Sequence, residues 1–566
     1  MHQEAVLNGK RRNYHKPFKF ENWWLLDDDY ESVAKSSWYK STNKPFHIKT
    51  FFLAKDLRKW RKSKPKNSDA LTAIKDHILK LQMRPPHQQN SIVQKHRSHQ
   101  HEKLLAKEEA YHRQRYRSVA GDRNTSFFHQ SIIKRARKNT ITHFLNPDGS
   151  FSTTHDQLAQ TANSYFSDIF RSQSNCRTNS SDQTWNVEIH ANQLPEEDPF
   201  TNSTPDMHEI HTIIKNMRSN AAPGPDGLNA AFYKSSWEWI GKDVLDLVTS
   251  FYESVSLPID INRTHITLIP KISAPNTPKD YRPISLCNVA YKIIAKSLAE
   301  RIKNHLAHII HPSQAAFIQG RHIASNIIIA QEIIHSFNLK NWKQNAFFLK
   351  LDLAKAFDRI EWNFIVNALK RQGFKDNFIR LIYNCISTTT MSAIINGEPA
   401  PSFHPQRGVR QGCPLSPYLF IIAVNELSIC LQHHSNAQNI SGIILGPDCP
   451  RIHSLLFADD LIICGQATYD EASKIKNILQ AFCSASGQTP NLYKSSIMFS
   501  RNVDSQSKME VKSIFPISDL SPNTTYLGHP LIFNHNDRTK AYDFILNKFR
   551  AKLTTLKANK LTMLVA

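Results

Sequence analysis

The sequence predicts a mixed α/β fold with several domains. Its 566 residues are 40% hydrophobic and 10% aromatic, which is sufficient for a sizeable core and for roughly two to four domains. After Ala222, short apolar segments alternate with segments of helical period and with Pro and Gly, a pattern typical of strands and helices joined by turns. Two of the apolar segments, residues 347–353 and 454–465, have the length of buried strands.

The positive charge of the chain is concentrated near its N-terminal end. The net charge is +23, and residues 51–140 contain 22 Lys or Arg against 7 Asp or Glu, a local net charge of +15. From Leu71 to about Lys138 the pattern is mostly helical, with a break at residues 84–86. Clustered positive charge favours contacts with phosphates, so we expect a polyanionic partner. A merely soluble basic protein is the alternative.

Several protein classes are disfavoured by the residue pattern. The eight cysteines show no CxxC spacing and the 27 histidines no HExxH spacing, so neither a zinc ribbon, a dithiol redox site nor a zinc hydrolase is indicated. The first residues lack the apolar core of a secretory signal, and the longest apolar run, residues 418–424, is too short to span a bilayer. We therefore expect an intracellular protein, in the nucleus or cytoplasm, that is neither secreted nor membrane-bound.

The two apolar segments carry three aspartates. The first segment is predicted to be a strand that ends at Asp352, and the second a hairpin with Asp459 and Asp460 at its bend. Considered singly, Asp352 would more often be a helix cap, and the adjacent pair ordinary turn residues. On adjacent strands, however, they could share two Mg²⁺ ions, which would neutralise their repulsion. Without metal, one carboxyl should have a raised pKa, or the hairpin should be strained.

The motifs around these aspartates resemble those of reverse transcriptases. "KLDLAKAFD", "RGVRQGCPLSPYLF" and "FADD" resemble the palm motifs, and "SGQTPNLYKSSIMFS" and "YLGHPL" resemble the last two palm elements. "TLIPKISAPNTPKDYRPISLCN", "HPSQAAFIQGRHIASNI" and "APGPDGL" resemble the fingers motifs and the N-terminal extension of the non-LTR, LINE-type branch. Upstream, "KPFKFENWW" and "QRYRSVAGDRNTSFFH" resemble the segment that links endonuclease and polymerase in plant LINE-type elements.

This resemblance implies a right-hand polymerase fold with fingers and an antiparallel palm sheet. It also implies a basic, mainly helical N-terminal extension, a truncated thumb and no endonuclease domain in this chain. The expected regions are the basic extension (1–150), a connecting segment (151–221), the N-terminal extension of the fingers (222–252), the reverse transcriptase domain with fingers and palm (253–533) and the start of a truncated thumb (534–566).

The activity that the resemblance implies is RNA-directed DNA polymerisation. Nucleotides would be transferred from dNTPs to the 3′-hydroxyl of a DNA primer on an RNA template. Asp352, Asp459 and Asp460 would be the catalytic residues and would bind two Mg²⁺ ions, with Mn²⁺ as a substitute. The other implied site residues are Lys271 and Arg282 at the triphosphate, Phe357 as a steric gate against the ribose 2′-hydroxyl, Gln411 and Gly412 beside the nucleotide, Lys494 at the departing pyrophosphate, and Tyr526, Leu527 and Gly528 in a primer-grip turn.

Some assignments and functions remain open at this point. Phe357 could equally be a core residue of an amphipathic helix, and both descriptions can hold. Asp358, Glu361 and Asp226 are left without a role, since Asp358 lies more than a helical turn beyond Asp352. A catalytically silent, truncated remnant that only binds nucleic acid is the main alternative function. A viral RNA-templated RNA polymerase is disfavoured by Phe357, and a group II intron maturase fits the fingers motifs less well.

Overall fold

A computed structural model describes most of the chain. The described residues are 17–65, 67–83, 91–116, 139–172, 193–195, 201, 203–522, 524–531 and 542–550. The helical pattern predicted from Leu71 onward is present as far as Tyr116, and its continuation to Lys138 lies outside the described residues. Of the predicted thumb segment, only residues 542–550 are described. The first helices are α1 (Tyr30–Tyr39), α2 (Phe46–Ser63), α3 (Asn67–Gln82) and α4 (Ser91–Tyr116).

The N-terminal helices pack against the segment that follows residue 222. Next along the chain come strands β1 (Phe144–Leu145) and β2 (Phe151–Ser152) and helices α5 (His155–Ile169), α6 (Met207–Lys215), α7 (Ala230–Ser235) and α8 (Trp237–Ser254). The Trp38 ring of α1 lies 5.8 Å from that of Trp239 on α8, and its indole N–H donates to Asp243 over 2.7 Å. Lys49 of α2 forms a 2.5 Å ion pair with the same carboxylate. The basic extension and the start of the fingers therefore share one aromatic core.

Ahead of helix α6 the sequence contains two candidate caps, Thr204 and Asp206. The Asp206 carboxylate accepts the backbone N–H of Glu209 over 2.7 Å, which confirms Asp206 rather than Thr204 as the N-terminal cap. The polar segment 172–184, predicted as a linker or loop, lies outside the described residues beyond Ser172.

The remaining elements form two main sheets and the helices that cover them. The strands are β3 (Arg263–Pro270), β4 (Tyr281–Cys287), β5 (Ala346–Asp352), β6 (Thr390–Ile395), β7 (Glu398–Pro399), β8 (Ser454–Phe457), β9 (Asp460–Gln466), β10 (Ser496–Phe499), β11 (Ser518–Asp519), β12 (Thr525–Tyr526) and β13 (His529–Pro530). The helices are α9 (Val289–Lys303), α10 (Leu306–Ile309), α11 (Ile323–Asn338), α12 (Ala356–Arg359), α13 (Trp362–Arg371), α14 (Asp376–Ser387), α15 (Ser416–Asn436), α16 (Tyr469–Ser486) and α17 (Ser505–Ile514).

The central sheet has the strand order β11-β10-β5-β9-β8. Strand β5 lies in its middle and pairs antiparallel with β9 and with β10, while the short edge strand β11 runs parallel to β10. Residues 346–349 are completely buried, as expected of a strand covered on both faces. The mixed α/β fold and the antiparallel central sheet predicted from the sequence are confirmed.

A second sheet has the order β4-β3-β6-β7 and lies earlier in the chain than most of the first. Strand β3 pairs antiparallel with β4 and parallel with β6. Its buried side chains, Ile266 and Leu268, share a core with Phe166 of α5. Helix α5 therefore covers this sheet, which connects the segment 139–172 to the predicted fingers.

The helix predicted after Asp352 is divided into two. Helix α12 ends at Arg359 and α13 begins at Trp362, because the intervening residues bond to other segments. The Ile360 carbonyl accepts the N–H of Gly408 over 2.7 Å, and the Glu361 N–H donates to the Ser486 carbonyl over 3.0 Å. Periodicity alone does not reveal such a break, since both pieces keep the same apolar spacing.

Two further predictions concern bilayers and cysteines. In the part of the chain that the structure describes, no helix is both long and apolar enough to cross a bilayer. The cysteines in that part are free, and most of them are buried, as expected of single cysteines that lie scattered within apolar runs.

Candidate active site

The three predicted aspartates meet at one end of the central sheet, here named the carboxylate corner (Asp352, Asp459 and Asp460). Asp352 is the last residue of β5 and Asp460 the first of β9, and the two are partners in the strand register. Asp459 follows Ala458 in the turn between β8 and β9. The sequence predicted both Asp459 and Asp460 at the bend, whereas the structure places Asp460 in the strand.

The turn of the corner has an unusual backbone. Ala458 has a φ of +55°, a left-handed conformation that side chains other than glycine adopt at a cost. Its N–H donates to Oε1 of Gln314 over 3.0 Å, and the same oxygen accepts the N–H of Ala316. Gln314 is completely buried. The sequence does not reveal this role of Gln314, although the residue lies within the quoted "HPSQAAFIQG" motif. Residue spacing does not indicate which backbone groups a side chain will bond.

Electrostatic repulsion is retained within the corner. Burial is the largest cause that raises the pKa of Asp459, and the neighbouring Asp460 and Asp352 carboxylates raise it further. Burial and Asp352 likewise raise the pKa of Asp460, while the Lys350 and Lys494 ammonium groups oppose the rise. The sequence predicted either a raised pKa or a strained hairpin, and the structure shows both.

The third acid, Asp352, has polar partners from a later segment. Its Oδ2 accepts from the Asn491 side-chain amide over 3.1 Å and lies 3.9 Å from Nζ of Lys494. The Asn491 backbone N–H also donates to the Asp352 carbonyl over 2.7 Å. Lys494 thus lies beside the corner, and Asn491 is a further partner of Asp352 that the sequence motifs do not reveal.

The predicted fingers cations lie toward the same site. Lys271 follows the end of β3, and its N–H donates to the Asp280 carbonyl over 2.8 Å, while Arg282 is an exposed residue of β4. Burial lowers the pKa of Lys271, Lys494 and Arg282 lower it further, and Asp358 opposes them. Lys271 and Arg282 lie at the same end of two paired strands, since Ile269 of β3 is the register partner of Arg282.

A loop of residues 407–412, here named the glutamine loop, forms the next border of this region. Its backbone follows α12, since the Val409 N–H donates to the Phe357 carbonyl over 2.7 Å. A Cβ on Gly408 would lie 2.5 Å from the Asp358 carbonyl oxygen, so only glycine permits this approach. The Gln411 carbonyl then accepts the N–H of Ser285 in β4 over 2.7 Å. The loop thus joins helix α12 to the second sheet.

Arg410 anchors the glutamine loop from below. Its side chain is 4% exposed, and its guanidinium carbon lies 4.0 Å from the centre of the Tyr291 ring. The guanidinium donates to four groups, namely Asn262 Oδ1 (2.7 Å), Thr264 Oγ1 (3.0 Å), Thr389 Oγ1 (3.2 Å) and the Cys385 carbonyl (2.9 Å). The sequence analysis did not identify this role, because an arginine in a motif more often indicates a solvent-facing contact.

The predicted nucleotide-contacting residues follow from this framework. Gly412 has a φ of +109°, and a Cβ there would lie 3.0 Å from the Ser285 carbonyl oxygen, so the backbone at Gly412 lies close to β4, while its place beside the nucleotide stays a prediction. The Gln411 side-chain amide donates to Oδ1 of Asp358 over 2.9 Å. The half-buried Phe357 ring stacks on Phe420, with centroids 4.3 Å apart. Phe357 therefore packs as a core residue, the description that the sequence left open in addition to that of a steric gate.

The predicted primer-grip residues form a tight hairpin. Leu527 and Gly528 connect β12 to β13, and both have positive φ values, +51° and +83°, as in a two-residue hairpin turn. Tyr526 is buried, which raises its pKa, and the Asp460 carboxylate contributes to the rise. Tyr526 shares a buried cluster with Ile462 and Cys464 of β9.

The corner has the chemistry of a site for a hard metal ion. Carboxylate oxygens are the donors that Mg²⁺ prefers in proteins, and the raised pKa of Asp459 and Asp460 reflects burial and repulsion that a cation would relieve. Among the residues that the structure describes, no three His, Cys, Asp or Glu side chains already stand close enough to hold a metal ion. The donors therefore fit divalent cations in kind, without forming a closed set of ligands.

Comparison with known proteins identifies the domain. Residues 269–531 match the family described as reverse transcriptase (RNA-dependent DNA polymerase). The chain carries a reverse transcriptase domain. The matched range includes all the site residues predicted above, and reverse transcriptase domains generally use divalent metal ions.

Relatives of this reverse transcriptase domain come from mobile elements. The transposon TX1 uncharacterized 149 kDa protein of Xenopus laevis is 26% identical over 496 residues, which cover 84% of this chain and 37% of that protein. The Pol polyprotein of the type-1 retrotransposable element R2 of Nasonia vitripennis is 29% identical over 248 residues, 43% of this chain and 22% of the relative. These relatives agree with the non-LTR branch that the motifs indicate, and the chain spans well under half of either.

Two shorter or weaker similarities complete the comparison. An uncharacterized mitochondrial protein of Arabidopsis thaliana is 48% identical over 67 residues, 12% of this chain and 55% of that protein. A solved structure of apo telomerase from Candida tropicalis covers 46% of this chain and 56% of its own, at 14% identity and a TM-score of 0.30.

Proposed function

We propose that the chain is the RNA-directed DNA polymerase of a non-LTR retroelement. It would extend the 3′-hydroxyl of a DNA primer with dNTPs on an RNA template. The observation that carries this proposal is the carboxylate corner: Asp352 and Asp460 are register partners, and Asp459 lies in the adjoining turn, within the reverse transcriptase domain.

The carboxylate corner would hold the two Mg²⁺ ions, with Mn²⁺ as a substitute. When bound, such ions lower the pKa of the attacking hydroxyl and stabilise the charge of the triphosphate. The protein contributes rigid donors, because Asp352 and Asp460 are fixed by sheet register and Asp459 by a turn that buried Gln314 holds. Asn491 orients the Asp352 carboxylate from the side of Lys494.

The fingers cations would bind the phosphates of the incoming nucleotide. Arg282 and Lys494 are exposed, and Lys271 follows β3, whose Ile269 is the register partner of Arg282 in β4. An arginine can donate two parallel hydrogen bonds to a phosphate, whereas a lysine acts as a point charge. Lys494 also lies 3.9 Å from Asp352, which supports its assignment beside the departing pyrophosphate.

Phe357 and the glutamine loop would border the sugar and base of the nucleotide. The Phe357 ring is held in place by its stack on Phe420, so a bulky edge there can exclude a ribose 2′-hydroxyl. Replacement of Phe357 by Ala should increase the use of ribonucleotides relative to deoxynucleotides. Competitive incorporation of rATP and dATP by the wild-type and variant proteins would measure this selectivity.

The hairpin of Tyr526, Leu527 and Gly528 would support the primer. Tyr526 is buried in the core beneath the turn, whereas Gly528 is exposed at its tip. A primer could therefore be positioned by the shape and backbone of the turn.

The direct test is Mg²⁺-dependent incorporation of dNTPs on a primed RNA template. The wild-type protein should incorporate, Asp459→Ala should not, and Asp448→Ala, at an exposed acid outside the site, should behave as wild type. Absence of incorporation by the wild type, with salt-dependent RNA binding retained, would instead support the catalytically silent remnant.

A further inference from the structure

Asp358 is a buried acid at the centre of the proposed nucleotide site. It lies on α12 with 3% of its surface exposed. Burial raises its pKa to about 6, while the bond from Gln411 and the nearby Lys355, Lys271 and Arg359 oppose the rise. A carboxylate without a local task is rarely kept in such a place, because burying a charge is costly.

The hydrogen bond between Asp358 and Gln411 fixes the orientation of an amide. An ionised carboxylate can only accept, so the Gln411 side chain must present its Nε2 to Asp358, as it does over 2.9 Å. The amide Oε1 then points away from Asp358, and no described residue donates a hydrogen bond to it. Gln411 is half-buried, so this oxygen remains available to a ligand.

The surrounding backbone leaves little freedom for either partner. The Asp358 N–H donates to the Lys355 carbonyl over 2.9 Å, and the Asp358 carbonyl lies against Gly408. On the other side, the Gln411 carbonyl is bonded to Ser285. Helix α12 and the glutamine loop are therefore locked at both ends of the Asp358–Gln411 bond, which can act as a rigid spacer.

We infer that Asp358 is a positioning residue, which holds the Gln411 amide so that its Oε1 faces the incoming nucleotide as a hydrogen-bond acceptor. The recognised group is a hydroxyl or amino hydrogen of a nucleoside triphosphate. This inference rests on the proposed polymerase function and deepens it, since it assigns a task to an acid that does not itself touch the substrate. An asparagine in place of Asp358 could offer either an acceptor or a donor and would lose this selection.

The test is a double-mutant cycle on the full chain, with two readouts. Binding of dATP is measured by calorimetry on protein that holds a primed RNA template with a chain-terminated primer, and KM and kcat for dATP are measured on an extendable primer. Asp358→Asn and Gln411→Ala should each weaken dATP binding about fivefold to tenfold and raise KM, with little change in kcat. The double variant should be no weaker than Gln411→Ala alone.

A swap of donor and acceptor separates positioning from mere packing. Gln411→Glu places two acids together and should weaken dATP binding more than Gln411→Ala does. Addition of Asp358→Asn should restore much of the loss, because the introduced amide can donate to the glutamate, whose second oxygen then faces the nucleotide. A purely structural acid would give no rescue, and its replacement would lower the melting temperature and kcat equally in both backgrounds.

The outcomes distinguish this inference from the function on which it rests. Wild-type protein that neither binds dATP nor incorporates it would overturn both. Wild-type incorporation together with an additive cycle, or with unchanged dATP binding in Asp358→Asn, would overturn only the positioning role.

Discussion

The carboxylate corner and the glutamine loop border the same region but are built in opposite ways. In the corner, backbone register and a tight turn bring acids together, and their pKa values are raised by burial and mutual repulsion. The glutamine loop is instead held by side-chain hydrogen bonds: buried Arg410 donates four, and Gln411 donates one to Asp358. The acids of the corner repel one another, whereas the groups that hold the glutamine loop in place are paired by hydrogen bonds.

The difference predicts which variants affect chemistry and which affect folding. Removal of an acid from the corner relieves repulsion and should cost little stability. Removal of a partner from the loop leaves buried donors or acceptors unpaired, which is costly. Rate and stability measurements on variants of the two regions can separate these effects.

Asp459→Asn should give the largest change in rate. The shape of the turn is kept, but one negative charge for the metal ions is lost, so incorporation should fall by about a thousandfold or more. Single-turnover kinetics would measure the rate, and urea unfolding should show equal or slightly higher stability. Breaking a buried ion pair typically costs about 3–5 kcal/mol. A loss of that size in Asp459→Asn, together with the loss of activity, would show that the corner contributes to folding as the glutamine loop does.

Arg410→Leu should give the largest change in stability. The four acceptors around the guanidinium would be left without their donor, so the free energy of unfolding should fall by about 3–5 kcal/mol. Urea unfolding would measure the loss. As a matched control, Arg282→Leu removes an exposed guanidinium in β4 and should change stability by less than about 0.5 kcal/mol. Equal losses in the two variants would be inconsistent with the buried role of Arg410.

Asp358 should make the stability of the loop depend on pH. Its folded pKa is raised to about 6 from 3.8, so its contribution is fully present below pH 3.8 and is lost as the pH rises through about 6. Relative to Asp358→Asn, the wild type should lose up to roughly 3 kcal/mol across this window. Urea unfolding of both proteins between pH 4 and about 7 would test this; parallel curves would show that Asp358 does not titrate as described.

A pair of glycine variants should give the smallest effects and the sharpest local comparison. Gly412 and Gly528 both have positive φ, +109° and +83°, but a Cβ would meet the Ser285 carbonyl only at Gly412, and no atom within 4 Å at Gly528. Gly528→Ala should therefore cost about 1 kcal/mol for the backbone alone. Gly412→Ala should cost more in stability and also weaken dNTP binding. Equal losses of stability would show that the approach to β4 is not restrictive.

Much of the fold and of the carboxylate corner could be predicted from the sequence. Strand β5, the β8–β9 hairpin and the meeting of Asp352 with Asp460 follow from apolar runs and from motif order. Their contacts are between backbone groups, for which residue pattern is a good guide. The exact turn residue was misplaced by one position, since strand ends are the least certain part of such a pattern.

The partners that hold the glutamine loop could not be predicted in the same way. Arg410 and Asp358 act through side-chain hydrogen bonds to residues distant in sequence, as Gln314 does at the turn of the carboxylate corner, and periodicity carries no information on such bonds. The break between α12 and α13 is hidden from the sequence in the same way. The N–H that donates to the Ile360 carbonyl belongs to Gly408, in another segment of the chain. Helical spacing can show that a residue is buried, but not which group it meets.

The position of β5 in the middle of the central sheet also has a consequence during protein synthesis. Its neighbours β9 and β10 come later in the chain, and the Asn491 amide that bonds to Asp352 is 139 residues away. As the chain leaves the ribosome, both edges of β5 therefore stay unpaired until more than a hundred further residues have been synthesised. Such edges invite pairing with other chains. Products that end between β5 and β10 are accordingly expected to aggregate before the central sheet can be completed.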